Sequence, residues 1–463
     1  MPGVVRRLFC LAARRASHLR RTRPAWSEPE SLVIGSASRV AFHQFHNLAA
    51  LSAEPRYQWI DGAEHLPHYS PGGYHPIEIG SVLHDRYHVI DKLGYGGWST
   101  VWLVHDAQQT RYLALKVGIA ESLPREMPIL RALGASGDAP GSDAVPHLVD
   151  EFTVEGPNGT HPCYATVPAL ANLRDVSFSR LFRIDVARAL CYELTLALAF
   201  VHSRGFVHGD LHLGNILVRA HDSFNDLTVA QFRHKFGEPD VYQVTRTDGE
   251  ALTPNVPGTA VVALDMGKKA QDFSIQDARL MLSDFGESFH PASEVRLGQD
   301  CHTVFDSRPP EAHFEPDAPM SFPSDVWSLA IAIWDIVGMQ PLFSSAFYSS
   351  DAVRCQIVDQ LGPMPAEWFQ KWLGRSDFFD ERGQPVDGRR PWPGMAQAFE
   401  NCVQSFRRQD GMGVFCNEES AALLDLVRKM LAYRPEQRPT VQQILQSEWM
   451  CTWARRDYEQ SRR

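Results

Sequence analysis

The chain has 463 residues, 44% of them hydrophobic and 22% charged, which allows a sizeable core in two or three domain-sized units and argues against a disordered or fibrous protein. Its net charge of −10 hides an asymmetry: residues 1–27 hold seven Arg and no acid, leaving 38 Lys and Arg against 55 Asp and Glu elsewhere, a net of −17. That acidic body argues against nonspecific nucleic-acid binding, and eight scattered cysteines with no C-x-x-C pair argue against a zinc site or disulfide framework and for a reducing compartment.

The Arg-rich leader, within residues 1–53, has the pattern of a mitochondrial presequence and equally that of a disordered basic tail. Residues 28–70 are rich in turn formers and read as a poorly ordered lead-in; residues 54–86 form an N-terminal extension. Strand patterns follow at 87-YHVIDKL-93, 99-STVWLVHD-106 and 111-RYLALKV-117, separated by Gly or polar breaks. Glu126 to Leu133 suit a short helix, and Val186, Leu190, Leu194, Ala197 and Val201 recur at helical spacing. The apolar runs 186–201 and 326–338 are broken by Glu193 and Asp335; both are too short for a membrane span and predict buried helices. Between Leu217 and Met281 the helical rhythm lapses. A structureless loop of that length is out of place in a compact domain, so 219–280 reads as an insertion with one helix at 227–236. The expected architecture is α+β: a small β-rich lobe over 87–168, a larger helical lobe over 169–449 with a cleft between them, and a C-terminal tail at 450–463.

Four motifs in this order carry chemistry. The stretch 93-LGYGGWSTV-101 joins two strands, and its candidate phosphate-binding residues are Leu93, Gly94, Tyr95, Gly96, Gly97, Trp98, Ser99, Thr100 and Val101. Gly94 and Gly96 let the backbone bend and approach phosphate oxygens; Ser99 stands where G-x-G-x-x-G has its third Gly, and a plain hairpin explains the string as well. Lys116, beside Ala114 in 113-LALKV-117, follows the strand pattern V-A-I-K and becomes a candidate phosphate ligand, with Glu126 as its partner and Glu121 as the rival. In 208-HGDLHLGN-215, Asp210 suits a base that accepts a hydroxyl proton, and Asn215 suits a metal ligand; Asp284 of 282-LSDFGES-288 suits a second one. Asp210 as a turn former and Asp284 as a helix cap remain open, and His208 is read as a packed core histidine.

These motifs, with 72-GGYHPIEIGSVLHDRYHVIDKLGYGGWSTVWL-103, 308-RPPEAHF-314, 324-SDVWSLAIAIWDI-336 and 434-RPEQRPTVQQILQSEWM-450, resemble a eukaryotic protein kinase, more narrowly a divergent SR-protein kinase, from about Gly72 to Trp449. The resemblance implies a bilobal protein-kinase fold, ATP and Mg²⁺ as cofactors, and transfer of phosphate to serines or threonines of a protein. It further implies a basic Arg/Ser-rich substrate and thus a part in mRNA processing, a monomer without nucleic-acid binding or membrane span, and a cytoplasmic and nuclear location. By the same resemblance Arg438 should pair with Glu311, and Asp359, with Asp351 one position displaced, falls where the family docks its basic substrate.

Two departures stand out. Gly209 replaces the Arg that receives a phosphorylated activation loop, which suggests activity independent of such phosphorylation. His212 replaces a Lys that neutralises the transferring phosphate; with an unperturbed pKa of about 6.5, it is expected to stand in partly as a cation, with activity improving on mild acidification. HGDLHxGN is also typical of aminoglycoside- and choline-type phosphotransferases, and the substitutions admit a catalytically silent scaffold. Against these stand the closing motifs at 308–311 and 434–450 and the joint presence of Lys116, Asp210, Asn215 and Asp284.

Overall fold

The alternating stretches at 87–118 form three long antiparallel strands of a six-stranded sheet in the computed structural model, which describes residues 56–463 apart from 123–124, 136, 138, 178–180, 221 and 345–348. The strands are β1 (Val82–Leu83), β2 (Tyr87–Gly96), β3 (Ser99–Asp106), β4 (Arg111–Gly118), β5 (Asp150–Gly156) and β6 (Gly159–Thr166), in the order β1-β2-β3-β4-β6-β5. Helix α1 (Glu126–Gly134) follows β4. β7 (Ala169–Asn172) and α2 (Leu173–Ser177) lead into the helical lobe, where α3 (Ile184–Ser203) is buried almost all round, as expected of a helix apolar on every face. The Glu193 that interrupts it is buried, accepts the Leu280 N–H and pairs with Arg462. Desolvation outweighs both partners and pushes its carboxyl up to about 7. A three-stranded sheet, β11-β8-β7, with β8 at Ile216–Arg219 and β11 at Leu280–Leu282, spans the base of the cleft.

The insertion is structured. Its helix α4 (Val229–Phe236) starts on a capping box between Thr228 and Gln231 and stops at Gly237, whose φ of +100° few other residues adopt. Phe224 and Phe232 pack on Ile90, Leu103 and Tyr112, so the insertion covers the face of the sheet opposite Trp102, Val104, Leu113 and Leu115. That explains the unbroken apolar run 101-VWLV-104, since a strand covered on both faces loses its alternation. A hairpin, β9 (Val241–Gln243) and β10 (Thr259–Val261), completes the insertion.

One expectation is corrected. Residues 57–70, read as part of a loose lead-in, are packed: Ala63, Leu66 and Tyr69, with Tyr74, are buried against Val244, Val256 and Ala260 of the insertion. Their apolar residues follow no period, so pattern reading passes over a partner far along the chain. The tail at 450–463 forms a helical continuation onto α3, with Met450 and Ala454 buried and Tyr458 in ring contact with Tyr192 at 5.0 Å. The leader, residues 1–53, lies outside the described residues.

In the helical lobe, α5 (Glu311–Phe314), α6 (Phe322–Gly338), α7 (Ser350–Leu361), α8 (Asn417–Met430) and α9 (Arg455–Ser461) follow in order. Glu311 and Arg438 form the expected buried pair, bidentate at 2.6 and 2.7 Å. The guanidinium also donates to the carbonyls of Ala432, Pro323 and Tyr433, so all five of its N–H groups are used. Glu311→Ala strands this cation inside the lobe and should cost about 3–5 kcal/mol, measured by urea unfolding. A loss of under about 1 kcal/mol would mean that the carbonyls alone hold Arg438.

Candidate active site

β2 and β3 meet in the glycine hairpin, with Gly96 opposite Ser99 and Gly94 opposite Val101. A Cβ placed on Gly94, Gly96 or Gly97 would meet nothing within 4 Å, so these glycines leave room above the cleft rather than satisfying a packing constraint. Tyr95 and Trp98 are exposed there, Ser99 and Thr100 buried, and Leu93 partly buried against the insertion cluster. On β4, Lys116 pairs in register with Val101, and Ala114 with Leu103. The Lys116 ammonium touches Glu126 Oε2 at 2.6 Å and Asp284 Oδ1 at 3.3 Å. Burial works against the charged form, but Glu126 and Asp284 outweigh it and hold the Lys116 pKa well above the ordinary lysine value. Lys116 in turn lowers the Asp284 pKa against the cost of desolvation. Glu126 also accepts the Phe285 N–H at 2.9 Å, which ties α1 to the segment carrying Asp284. The rival Glu121 lies against Gly72 instead.

The loop 208–215 hangs on Asp325 of α6. One carboxylate oxygen accepts the His208 N–H (2.7 Å) and faces His202 Nε2 (2.9 Å); the other accepts the Gly209 N–H (2.9 Å). Burial opposes ionisation of Asp325, yet His202 and these N–H groups prevail and hold its pKa below the ordinary value. His208 is fully buried, bonded to the Ser283 carbonyl at 3.0 Å and packed on Phe285, as a core histidine should be. Gly209 has φ +79°, and a Cβ there would lie 2.7 Å from the Glu287 carbonyl. The missing Arg is thus also a backbone requirement.

Asn215 donates to the Asp210 carbonyl (2.9 Å) and to its Oδ2 (3.2 Å), while Asp210 Oδ1 is buried and takes no hydrogen bond from the described residues. That orphan acceptor suits an incoming hydroxyl. Asn215 keeps its amide oxygen, and the Asp284 carboxylate is half exposed. No cluster of three His, Cys, Asp or Glu occurs among the described residues, so a cation here would have Asn215 and Asp284 plus phosphate and water oxygens, the habit of Mg²⁺.

His212 sits between Arg174, Gly214 and Asp210. Its Nδ1 accepts the Gly214 N–H at 3.0 Å and faces Arg174 Nη2 at 3.0 Å, while Nε2 lies 3.5 Å from Asp210 Oδ2. A lone pair is needed on Nδ1, so this geometry suits the neutral ring with its proton on Nε2. Arg174 of α2, which motif reading missed, brings a permanent charge beside it. Gly214 makes the approach possible, since a Cβ there would sit 3.2 Å from the guanidinium carbon and 2.8 Å from the imidazole. No local signal marks Arg174, because its partner lies 38 residues away.

The docking acids are corrected as well. Asp359 is 4% exposed, held bidentately by Arg389 at 2.6 and 2.9 Å and by the Trp392 N–H at 2.8 Å. Asp351 accepts from Arg354 (2.6 Å) and from the Trp372 indole (2.7 Å). The Asp359 charge is thus spent inside the fold, while Asp351 is paired at a partly exposed position.

His212→Gln, which keeps an acceptor within reach of the Gly214 N–H, should retain most of the phosphotransfer rate, and His212→Leu, which has none, should lose it; equal rates in the two variants would deny the acceptor a part in holding the loop.

Known proteins share the fold. The protein kinase domain family matches residues 267–450, beginning within the last part of the insertion. A serine/threonine protein kinase of Aspergillus fumigatus is 27% identical over 400 residues, 84% of this chain and 90% of that one. The serine/threonine-protein kinase SRPK of Physarum polycephalum is 24% identical over 422 residues, 83% of this chain and 90% of that one. The crystal structure of a kinase domain superposes with a TM-score of 0.53 at 16% identity, covering 81% of this chain and 98% of that one. With the two lobes and the cleft geometry already described, residues 267–450 carry a protein kinase domain, and most of the chain is similar to serine/threonine protein kinases, SRPK among them.

Proposed function

We propose that the cleft transfers the γ-phosphate of ATP to serine hydroxyls in an Arg/Ser-rich protein, which would place the chain in the control of mRNA processing. The observation that carries the phosphotransfer reading is Lys116, held between Glu126 and Asp284 across the cleft from the orphan oxygen of Asp210. Protein kinase domains in general use ATP and Mg²⁺, and the substrate class is drawn from the likeness to the kinase named SRPK. Asp359 lends that class no support, because its carboxylate is already neutralised.

The residues divide the work. The backbone of the glycine hairpin covers the phosphates, and Lys116, oriented by Glu126, binds the α- and β-phosphates. Asn215 and Asp284 would hold Mg²⁺, which supplies neutralisation of the charge that builds up on the phosphate oxygens. Asp210 Oδ1 accepts the hydrogen of the attacking hydroxyl and aims its oxygen; the Asn215 amide holds the other oxygen of Asp210 in place. Lys116 stays charged and Asp284 stays ionised at neutral pH, the states phosphate and cation need.

The activation segment supports activity without loop phosphorylation. Thr303 is buried, and its hydroxyl donates to the Gly209 carbonyl at 2.7 Å. Glu287 already pairs with Arg296 (3.1 Å) and meets His302 Nδ1 at 2.9 Å in that segment. Thr303→Ser should therefore retain activity, and Thr303→Glu should lower it. Activity lost in Thr303→Ala and regained in Thr303→Glu would instead mark Thr303 as a phosphorylation switch.

The full chain should label an Arg/Ser-repeat peptide in Mg-ATP, with a generic basic protein and a panel of small alcohols alongside. Asp210→Asn should reduce labelling by about 10²–10⁴-fold while nucleotide affinity holds. Labelling of the basic protein alone would remove the Arg/Ser assignment and leave the kinase; labelling of an alcohol alone would point to a small-molecule phosphotransferase.

A further inference from the structure

The N-terminal extension reaches the glycine hairpin directly. Tyr74 is buried, and its hydroxyl donates to the Gly96 carbonyl at 2.7 Å, at the turn between β2 and β3. Its ring packs against Tyr69 at 5.5 Å. Tyr69 donates to Glu64, and Glu64 pairs with the fully buried Lys92, four residues before Gly96 on β2. The extension thus holds the hairpin at its base and at its tip.

The same segment grips the neighbouring strand. The Gly73 carbonyl accepts the Ala120 N–H at 3.1 Å, and the Gly72 carbonyl accepts the Glu121 N–H at 3.0 Å, just beyond the strand that carries Lys116. Ile119 N–H donates to the Trp98 carbonyl at 2.9 Å, joining this edge to the hairpin tip. Gly73 is required here, because a Cβ on it would overlap the His68 carbonyl.

The insertion closes the back of this arrangement. Asn158 donates to the Tyr74 carbonyl (2.6 Å) and the Asn255 carbonyl (2.8 Å), and Asn255 returns a bond to Asn158 Oδ1 (2.6 Å). Val244, Val256 and Ala260 complete the cluster around Tyr69 and Tyr74. Two segments some 180 residues apart in sequence, at 57–74 and 244–260, therefore form one pad behind three open glycines.

A glycine hairpin has many conformers to lose when it closes on phosphate, and a contact that removes them beforehand raises affinity by preorganisation. Bonded to a buried Tyr, Gly96 loses part of that freedom before any ligand arrives. We propose that Tyr74 is a positioning residue for nucleotide, and that the extension and the insertion together are the buttress that holds the glycine hairpin over the cleft. This rests on the reading that the hairpin receives the phosphates of ATP.

The test uses the full chain and Tyr74→Phe, which removes one hydroxyl and keeps the ring, with Trp59→Ala, exposed on the same segment, as control. Tyr74→Phe should raise the Kd and KM for Mg-ATP about fivefold, the worth of one ordinary hydrogen bond, with kcat within about twofold. Amide exchange should quicken at residues 96–99 and stay unchanged over 100–106, and Tm should move by less than about 2 °C. Trp59→Ala should alter none of these. Unchanged nucleotide affinity in Tyr74→Phe, or weakened affinity that comes only with a large fall in Tm and faster exchange throughout the sheet, would overturn the proposal. Wild-type protein that binds no Mg-ATP would overturn the nucleotide reading itself and this inference with it.

Discussion

The cleft is organised around the carboxylate of Asp325, which sits inside the helical lobe and takes the N–H groups of both residues preceding Asp210. A buried carboxylate is costly unless its oxygens are bonded, and here the peptide groups of the loop, with His202, are the bonds that satisfy it. The loop is therefore not free to adopt another course: releasing it would strand the charge. Gly209 is the local condition for this arrangement, since its left-handed backbone turns two successive N–H groups toward one acid and leaves no room beside the Glu287 carbonyl. Asp210 then has one oxygen steadied by Asn215 and the other buried without a hydrogen-bond partner among the described residues.

The two lobes are registered by a second set of charges. Lys116 comes from the sheet, Glu126 from α1 and Asp284 from the segment after β11, and both carboxylates lie within 3.3 Å of the Lys116 ammonium. Because Glu126 also accepts the Phe285 N–H, a displacement of α1 would disturb both Lys116 and Asp284. Phe285 in turn packs on His208, whose backbone is bound to Asp325. One continuous set of contacts thus runs from the strand of Lys116 to the loop 208–215, the sort of shared constraint in which single substitutions are not additive.

Around this centre the chain departs from the simplest two-lobed design. The insertion lays Phe224 and Phe232 on a sheet face that would otherwise meet water, and the extension closes over its hairpin. Burial on both faces explains why β3 reads as the continuous run 101-VWLV-104 rather than as an alternating strand. The same burial makes Lys92 and Glu64 an internal pair, although each taken alone resembles an ordinary surface residue.

What could be read from the residues themselves was local. The hairpin glycines, the strand ending in Lys116, the Asp210–Asn215 spacing and the Asp284 tripeptide each occupy a few neighbouring positions, and periods of 2 and 3.6 report near-neighbour geometry. Even the helix of the insertion was legible, because Thr228, Gln231 and Gly237 are start and stop signals within one short stretch. The pairing of Arg438 with Glu311 came through family likeness, not through any pattern in the intervening chain. Where charge and packing partners lie far apart, only the fold decides. It spends Asp359 on Arg389, which removes an expected docking acid; it brings Arg174 to His212, which leaves the imidazole an acceptor; and it seats Tyr74 beneath Gly96. A side chain's chemistry depends on its neighbours in space, and for these residues the neighbours are chosen by chain topology rather than by adjacent sequence.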